Sequence, residues 1–360
     1  MGTATRSPLD EEDLLIEILL RLPPLPSSLP RASLVCKLWR RIISDRSFLR
    51  RFRDHNHRRP PLLGLFFHRR KGVRFVPTLE PPDRIPATRF CLPHTHEDGW
   101  FFCGCHRGLA LLYSILHRQA VVWEPLTGNQ RSVAFPPGFN NIEDAAVLCS
   151  SPEGDCKSAS FIIVLVRSTT THAVASVYDS ESNAWGDTIS TPVSATGGIC
   201  CMKPSTLAGN GLYWLLVGGN ILEFDLQKLS LAEIEKPAAL KWYDYSNIQV
   251  VRTEDGSLGL ATLSGFSMLL WEMKADSDGF LGWVLQKTIQ LDKVLSLEGT
   301  DEDCIVIWGY TEDSNMIFVS AEPDIFMIQL DTVQFKSLSR SFYITRYYPY
   351  SSFFPTDISL

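Results

Sequence analysis

No apolar run in this 360-residue sequence is long enough to cross a bilayer. The strongest, Phe161-Ile-Ile-Val-Leu-Val166, has six residues, against about 18 for a spanning helix. The stretch from Met1 to Asp13 is polar and acidic, without the basic-then-apolar layout of a secretory signal. Nine asparagines are present, and none begins an Asn-X-Ser/Thr sequon. Nine cysteines, an odd number with Cys200 and Cys201 adjacent, show no regular pairing framework. Reduced thiols in the cytosol or nucleus, with no membrane contact, are the expectation. The chain also lacks a Gly-X-Ser-X-Gly elbow, a phosphate-gripping Gly-rich loop and a His-Glu-X-X-His pair. Six of its eight histidines precede residue 107, and no nucleophile–base arrangement is readable. No catalytic residues and no cofactor are expected.

What is present describes a folded protein of two unequal parts. Hydrophobic residues make up 45% and charged residues 21%, the balance of a globular chain. Residues 1–60 carry 12 Lys+Arg against 7 Asp+Glu, whereas the rest carry 22 against 33. A basic front and an acidic body imply separate partners.

The front reads as helices. Leu14, Leu15, Ile18, Leu19 and Leu22 fall at helical spacing from about Glu11 to Leu22. Asp10 is positioned to cap this helix, and Pro23-Pro24 stops it. Ser27 or Ser28 can cap the next segment, where Leu29, Ala32, Cys36, Trp39 and Ile43 continue the apolar stripe. Phe48, Leu49 and Phe52 open a last short helix. Three short helices cannot bury all of Leu14, Leu15, Leu19, Leu34 and Leu38, so apolar surface is left for a partner.

The stretch Asp13-Leu-Leu-Ile-Glu-Ile-Leu-Leu-Arg-Leu-Pro-Pro24, then Ser28 to Ser44 with Val35-Cys-Lys-Leu-Trp-Arg40, resembles the plant-type F-box motif. The family pattern opens with Leu-Pro where this chain has Leu9-Asp10. The resemblance implies a three-helix F-box module over residues 9–54, docking on a Skp-type adaptor and through it on a cullin scaffold. Carried over position by position, the implied adaptor interface is Leu14, Leu15, Ile18, Leu22, Pro23, Leu29, Val35, Cys36 and Trp39. A helical cap packed on the following domain also accounts for the apolar stripes, though not for the motif.

A basic, proline-containing linker follows over residues 55–61, and helical periodicity then fades over residues 62–360. Short runs rich in Val, Ile, Phe, Tyr and Trp recur between Gly, Pro, Asn and Asp clusters. The apolar residue before each turn sits at Trp123, Tyr178, Phe224, Trp271 and Leu330, in steps of 55, 46, 47 and 59 residues. A period near fifty with about four strands per step suits the blades of a β-propeller. Leu62 to Val76 together with the C-terminal stretch can complete a sixth blade. A sandwich of two sheets fits the same strand pattern. This all-β body resembles the F-box-associated β-propeller of the same protein class, which implies that its loops hold a target protein; nothing identifies the loops or the target.

Three clusters carry less. Cys91, His94, His96, Cys103, Cys105 and His106 have zinc-type chemistry but no Cys-X2-4-Cys knuckle, so no metal is expected. Arg50, Arg51, Arg53, Arg58, Arg59, Arg69, Arg70 and Lys71 lack any stacking pattern, so no nucleic acid is expected. Glu298, Asp301, Glu302 and Asp303 read as solvated turn residues. The leading expectation is a non-catalytic, target-recruiting subunit of a Skp–cullin–F-box ubiquitin ligase. A propeller enzyme, of glycosidase or oxidase type, and an F-box scaffold outside any ligase stay open at this point.

Overall fold

A computed structural model describes residues 12–56, 59–69, 72–92, 94, 98–139, 141–150, 160–194, 198–200, 202–240, 247–275, 277–297, 301–321, 324–338 and 347–353. Leu9, Asp10, Glu11, Arg58, Arg70, Lys71, His96 and Glu298 lie outside the described residues.

The front folds into α1 (Glu12–Leu20), α2 (Ser28–Ser33), α3 (Lys37–Ile43) and α4 (Arg46–His55). The second apolar stripe, which the spacing reads as one helix, is therefore divided. Ser33 Oγ donates to the Pro30 carbonyl, competing with the backbone ladder. The amides of Leu34 and Val35 then reach back only three residues, to Arg31 and Ala32, and Cys36 is extended. Ser27 holds the cap position of α2 without a side-chain cap bond. Asp45 caps α4, accepting from the amides of Ser47 at 2.9 Å and Phe48 at 3.0 Å. Leu15, Leu19, Leu20, Leu29, Ala32, Ile42, Ile43, Phe48 and Phe52 form a core of their own. Among the described residues, no ring residue joins that core.

The body is a six-bladed propeller. Blade one holds β1 (Leu62–Arg69) and β2 (Gly72–Pro77) together with β24 (Tyr347–Ser351). Blade two holds β3 (Phe101–His106), β4 (Leu109–Ser114), β5 (Gln119–Trp123) and β6 (Gln130–Ala134). Blade three holds β7 (Asp144–Cys149), β8 (Phe161–Ser168), β9 (His172–Asp179) and β10 (Ala184–Trp185), with β11 (Ile189–Pro192) also on β9. Blade four holds β12 (Thr206–Ala208), β13 (Gly211–Leu215), β14 (Ile221–Asp225) and β15 (Ser230–Ile234). Blade five holds β16 (Ile248–Arg252), β17 (Leu258–Ser264), β18 (Ser267–Ala275) and β19 (Leu281–Gln290), and the short helix α5 (Leu291–Leu295) leads out of it. Blade six holds β20 (Ile305–Thr311), β21 (Met316–Ala321), β22 (Asp324–Gln329) and β23 (Phe335–Ser337).

Four of the repeat positions, Trp123, Tyr178, Phe224 and Trp271, lie on the third strand of their blades, and Leu330 directly follows one. Each blade is apolar on both faces, so each needs two neighbours. Six hydrophobic clusters meet that need, one at every blade-to-blade junction around the ring. The ring closes where β24, from the end of the chain, pairs antiparallel with β1 from its start.

Candidate functional site

The helical module offers two exposed apolar pairs. Leu14 and Ile18, one turn apart on α1, are 46% and 42% exposed, and Leu34 and Val35 in the α2–α3 break are 74% and 62% exposed. Burying the opposite side of α1 through Leu15 and Leu19 leaves the first pair outside. The break turns the second pair outward. Pro23 and Cys36 are also exposed, while Leu22 and Trp39 are half-buried against the module's core.

Leu15 and Leu29, placed at the adaptor interface by the resemblance, do not lie on the surface of the free chain. Leu15 is fully buried and Leu29 nearly so, both inside the module's own core. Leu34 takes their place among the exposed residues; the signal for it, a serine bonding back ahead of the break, is visible only once the helix is built. Arg41 to Glu12 at 2.7 Å and Arg51 to Glu17 at 2.9 Å tie α3 and α4 to α1 across solvent.

Polar contacts join the helices and the linker to the ring. The Ser27 amide, at the start of α2, donates to Asp83 Oδ1 at 2.8 Å, in the segment after β2. The Ser352 amide donates to the Pro61 carbonyl at 3.3 Å. Since β24 ends where β1 begins, the linker enters at the end of the ring where the inner strands finish.

At that end the ring axis carries titratable groups. His106 Nδ1 accepts from the Cys149 amide of the next blade, and burial, with Arg107 beside it, pushes the imidazole down to about 3. Glu312 accepts from the Leu207 amide at 2.9 Å. Burial, with Asp313 beside it, pushes its carboxyl up to about 7. Burial also raises Asp313 to about 6, against the pull of Arg107, Arg252 and Arg59. Toward the other end, where β12 and β20 begin, Lys203 is pushed down to about 7 by burial and donates to the Ile307 carbonyl. Arg252 donates to the Glu312 carbonyl at 2.9 Å. Each of these bonds joins one blade to another across or around the axis. His106, Leu207 and Glu312 line a space of 40 Å³, room for roughly three waters.

The two raised carboxyls make stability depend on pH. Their folded values exceed the ordinary carboxylate values of 4.5 and 3.8, so the folded state holds protons that the unfolded chain releases. Their contribution is complete below about pH 4 and is lost as pH rises through about 7. His106, held neutral, acts in the opposite sense on acidification. Glu312→Gln keeps an acceptor for Leu207 and isolates one group. From about pH 5 to about pH 8 its thermal midpoint falls less than that of the parent chain; parallel curves would show that Glu312 is already charged at pH 5.

Two clefts are roomier. One, of 490 Å³, lies between blades five and six, lined among others by Arg252, Asp255, Trp271, Glu272, Lys274 and Asp331. Bonds from Thr253 and Ser257 hold Asp255 down to about 2, and Lys274 pairs with Glu272 at 2.8 Å. Its lining includes the turns after β16, β20 and β22, so it opens on the end of the ring that carries the helices. The other, of 410 Å³, is largely apolar, beside β2, with Phe75, Phe90, Leu92 and Trp100. His94 stacks on Trp100 there at 4.3 Å, while Cys103 lies in the core between blades two and three. Among the described residues, no three His, Cys, Asp or Glu side chains are grouped to hold a metal ion. Among them, too, no helix is long and apolar enough to cross a membrane.

Comparison with known proteins follows this division. A family model described as F-box domain matches residues 12–51, and one described as F-box protein AT5G49610-like, beta-propeller, matches residues 102–351. No curated protein matches the sequence. Among solved structures, an extracellular domain of a one-component system from B. thetaiotaomicron is 13% identical with a TM-score of 0.36, covering 68% of this chain. The chain spans only 28% of that protein's length. A protein of unknown function from Bacteroides caccae is 9% identical with a TM-score of 0.45, covering 80% of this chain and 99% of its own. A chain of a nidogen/laminin complex is 10% identical with a TM-score of 0.44, covering 79% and 96%.

Proposed function

Because this chain belongs to the F-box proteins with an AT5G49610-like β-propeller, we propose that it is the target-recognition subunit of a Skp–cullin–F-box ubiquitin ligase. The helices dock on a Skp-type adaptor, which joins them to a cullin, and the propeller holds a target protein in the cytosol or nucleus. The chain performs no chemistry of its own; it raises the target's concentration near the ubiquitin-charged enzyme by linking two binding sites.

The observation that carries this reading is the surplus of the helical module. Its core is complete without Leu14, Ile18, Leu34 and Val35, yet these four stand in water. Large apolar side chains left out of a finished core favour a partner surface. His106 and Glu312 on the axis are engaged in joining blades beside a 40 Å³ space, which supports a binding role for the ring. The 490 Å³ cleft, carrying both signs of charge beside Trp271, is the ring's candidate for side chains of the target.

Co-expression of the full chain with a Skp-type adaptor and a cullin tests the reading on a sizing column. A complex of all three supports it. Adaptor binding without the cullin means a scaffold outside the ligase, and no adaptor binding by a folded chain removes the docking role.

A further inference from the structure

The outer strands of the blades differ in how they are protected. A strand at a sheet edge presents unpaired backbone groups, and folded proteins guard such edges by making them short or placing charge or proline on them. In this ring β6 has five residues including Arg131, and β10 has two. Similarly, β15 has five including Glu233, β23 has three including Lys336, and β2 carries Arg74 and Pro77. The exception is β19. It has ten residues, it ends its sheet among the described residues, and it carries neither charge nor proline from Leu281 to Gln286. Leu281 is 73% exposed, and Val284 and Leu285 are each 45% exposed.

We propose that the β19 edge pairs with β19 of a second copy of this chain, joining two propellers through a continuous antiparallel sheet. The occupant follows from the composition of the edge. An uncharged edge offers no electrostatic means of choosing a foreign strand, so what it selects for is extended backbone with a matching apolar pattern. Its own sequence supplies that pattern. About a two-fold axis through Trp283, Leu281 faces Leu285 of the other copy, and Gly282 faces Val284. No like charges oppose one another, and every contact is made twice. The regular stretch ends where it should: β18 and β19 lose register between Leu285 and Lys287, so Gln286 bulges and bounds the pairing segment.

Light scattering on the full chain, over about a hundredfold range of concentration, reads the outcome directly. The mass rises from 40.5 kDa to twice that value, and a chain carrying both Leu281→Lys and Val284→Lys stays monomeric. Both side chains are exposed, so that variant keeps the parent's circular dichroism and melting temperature. The register has its own test. Gly282 has nothing within 4 Å of an added Cβ, so cysteine fits there. A mixture of Gly282→Cys and Val284→Cys chains forms a disulfide-linked dimer on oxidation, above the level given by either alone. A parent chain that stays monomeric throughout overturns the proposal, as does a dimer that survives both lysines. A dimer without the mixed disulfide overturns the register.

Discussion

A chain carrying Val35→Asp loses the Skp-type adaptor in co-purification, while its propeller and helices stay folded. Val35 is 62% exposed and stands in the break between α2 and α3, where it contributes nothing to the module's core. Aspartate there costs the free protein little. In a desolvated interface the same carboxylate is an unpaired buried charge, and hot-spot losses of about 2 kcal/mol or more, roughly thirtyfold in affinity, follow. Leu14→Asp has the same effect from the other exposed pair. Leu15→Asp is a different experiment. That side chain is fully buried, so the change unfolds the module and abolishes binding for a reason unrelated to contact. Titration calorimetry with the adaptor, alongside a melting curve for each variant, separates the two cases. Wild-type affinity in Val35→Asp and Leu14→Asp together would place the docking face elsewhere on the helices.

Removing the last strand is expected to be as damaging to the propeller as Val35→Asp is to docking. A chain ending at residue 346 lacks β24, which supplies the inner strand of blade one. Tyr348 and Tyr350 go with it, 1% and 0% exposed. Their hydroxyls donate to the Phe102 carbonyl at 2.8 Å and the Gly108 carbonyl at 3.1 Å, clasping blade one to blade two. Without them the clusters on both sides of blade one open, and the truncated chain aggregates. Tyr350→Ala, which removes one ring, costs about 3–5 kcal/mol, read as a drop in denaturation midpoint. Tyr350→Phe costs about 1 kcal/mol, the worth of its hydrogen bond. By contrast, a chain beginning at Leu62 keeps all six blades, because the helices share no core with the ring. A soluble, cooperatively folded chain ending at residue 346 would show that the closure is dispensable.

The two functional parts were legible to different degrees. The apolar stripes and the motif from Asp13 to Ser44 placed the helices and pointed to a partner, because helical spacing and a short recognisable pattern are both local. The interface residues were harder. Leu14 and Leu15 are adjacent and chemically alike, yet one is exposed and the other fully buried. Which of two neighbours turns inward depends on how α1 crosses α4, and no spacing within α1 contains that angle. The break after Ser33 was hidden for a related reason: steps of three and four residues persist across it, so periodicity alone reads one helix.

In the body, the sequence by itself determined the class of fold. Five turn-preceding apolar residues at intervals near fifty imply repeated sheets that must stack, and four of those five stand on the third strand of a blade. Tertiary structure alone decided how the ring closes and which clefts open between blades. The physical reason is distance along the chain. Strand patterns arise from neighbours two residues apart, and turns from a few more. The pairing of β24 with β1, the stitching of Glu312 to Leu207, and the 490 Å³ cleft between blades five and six join segments that meet only when the ring is complete.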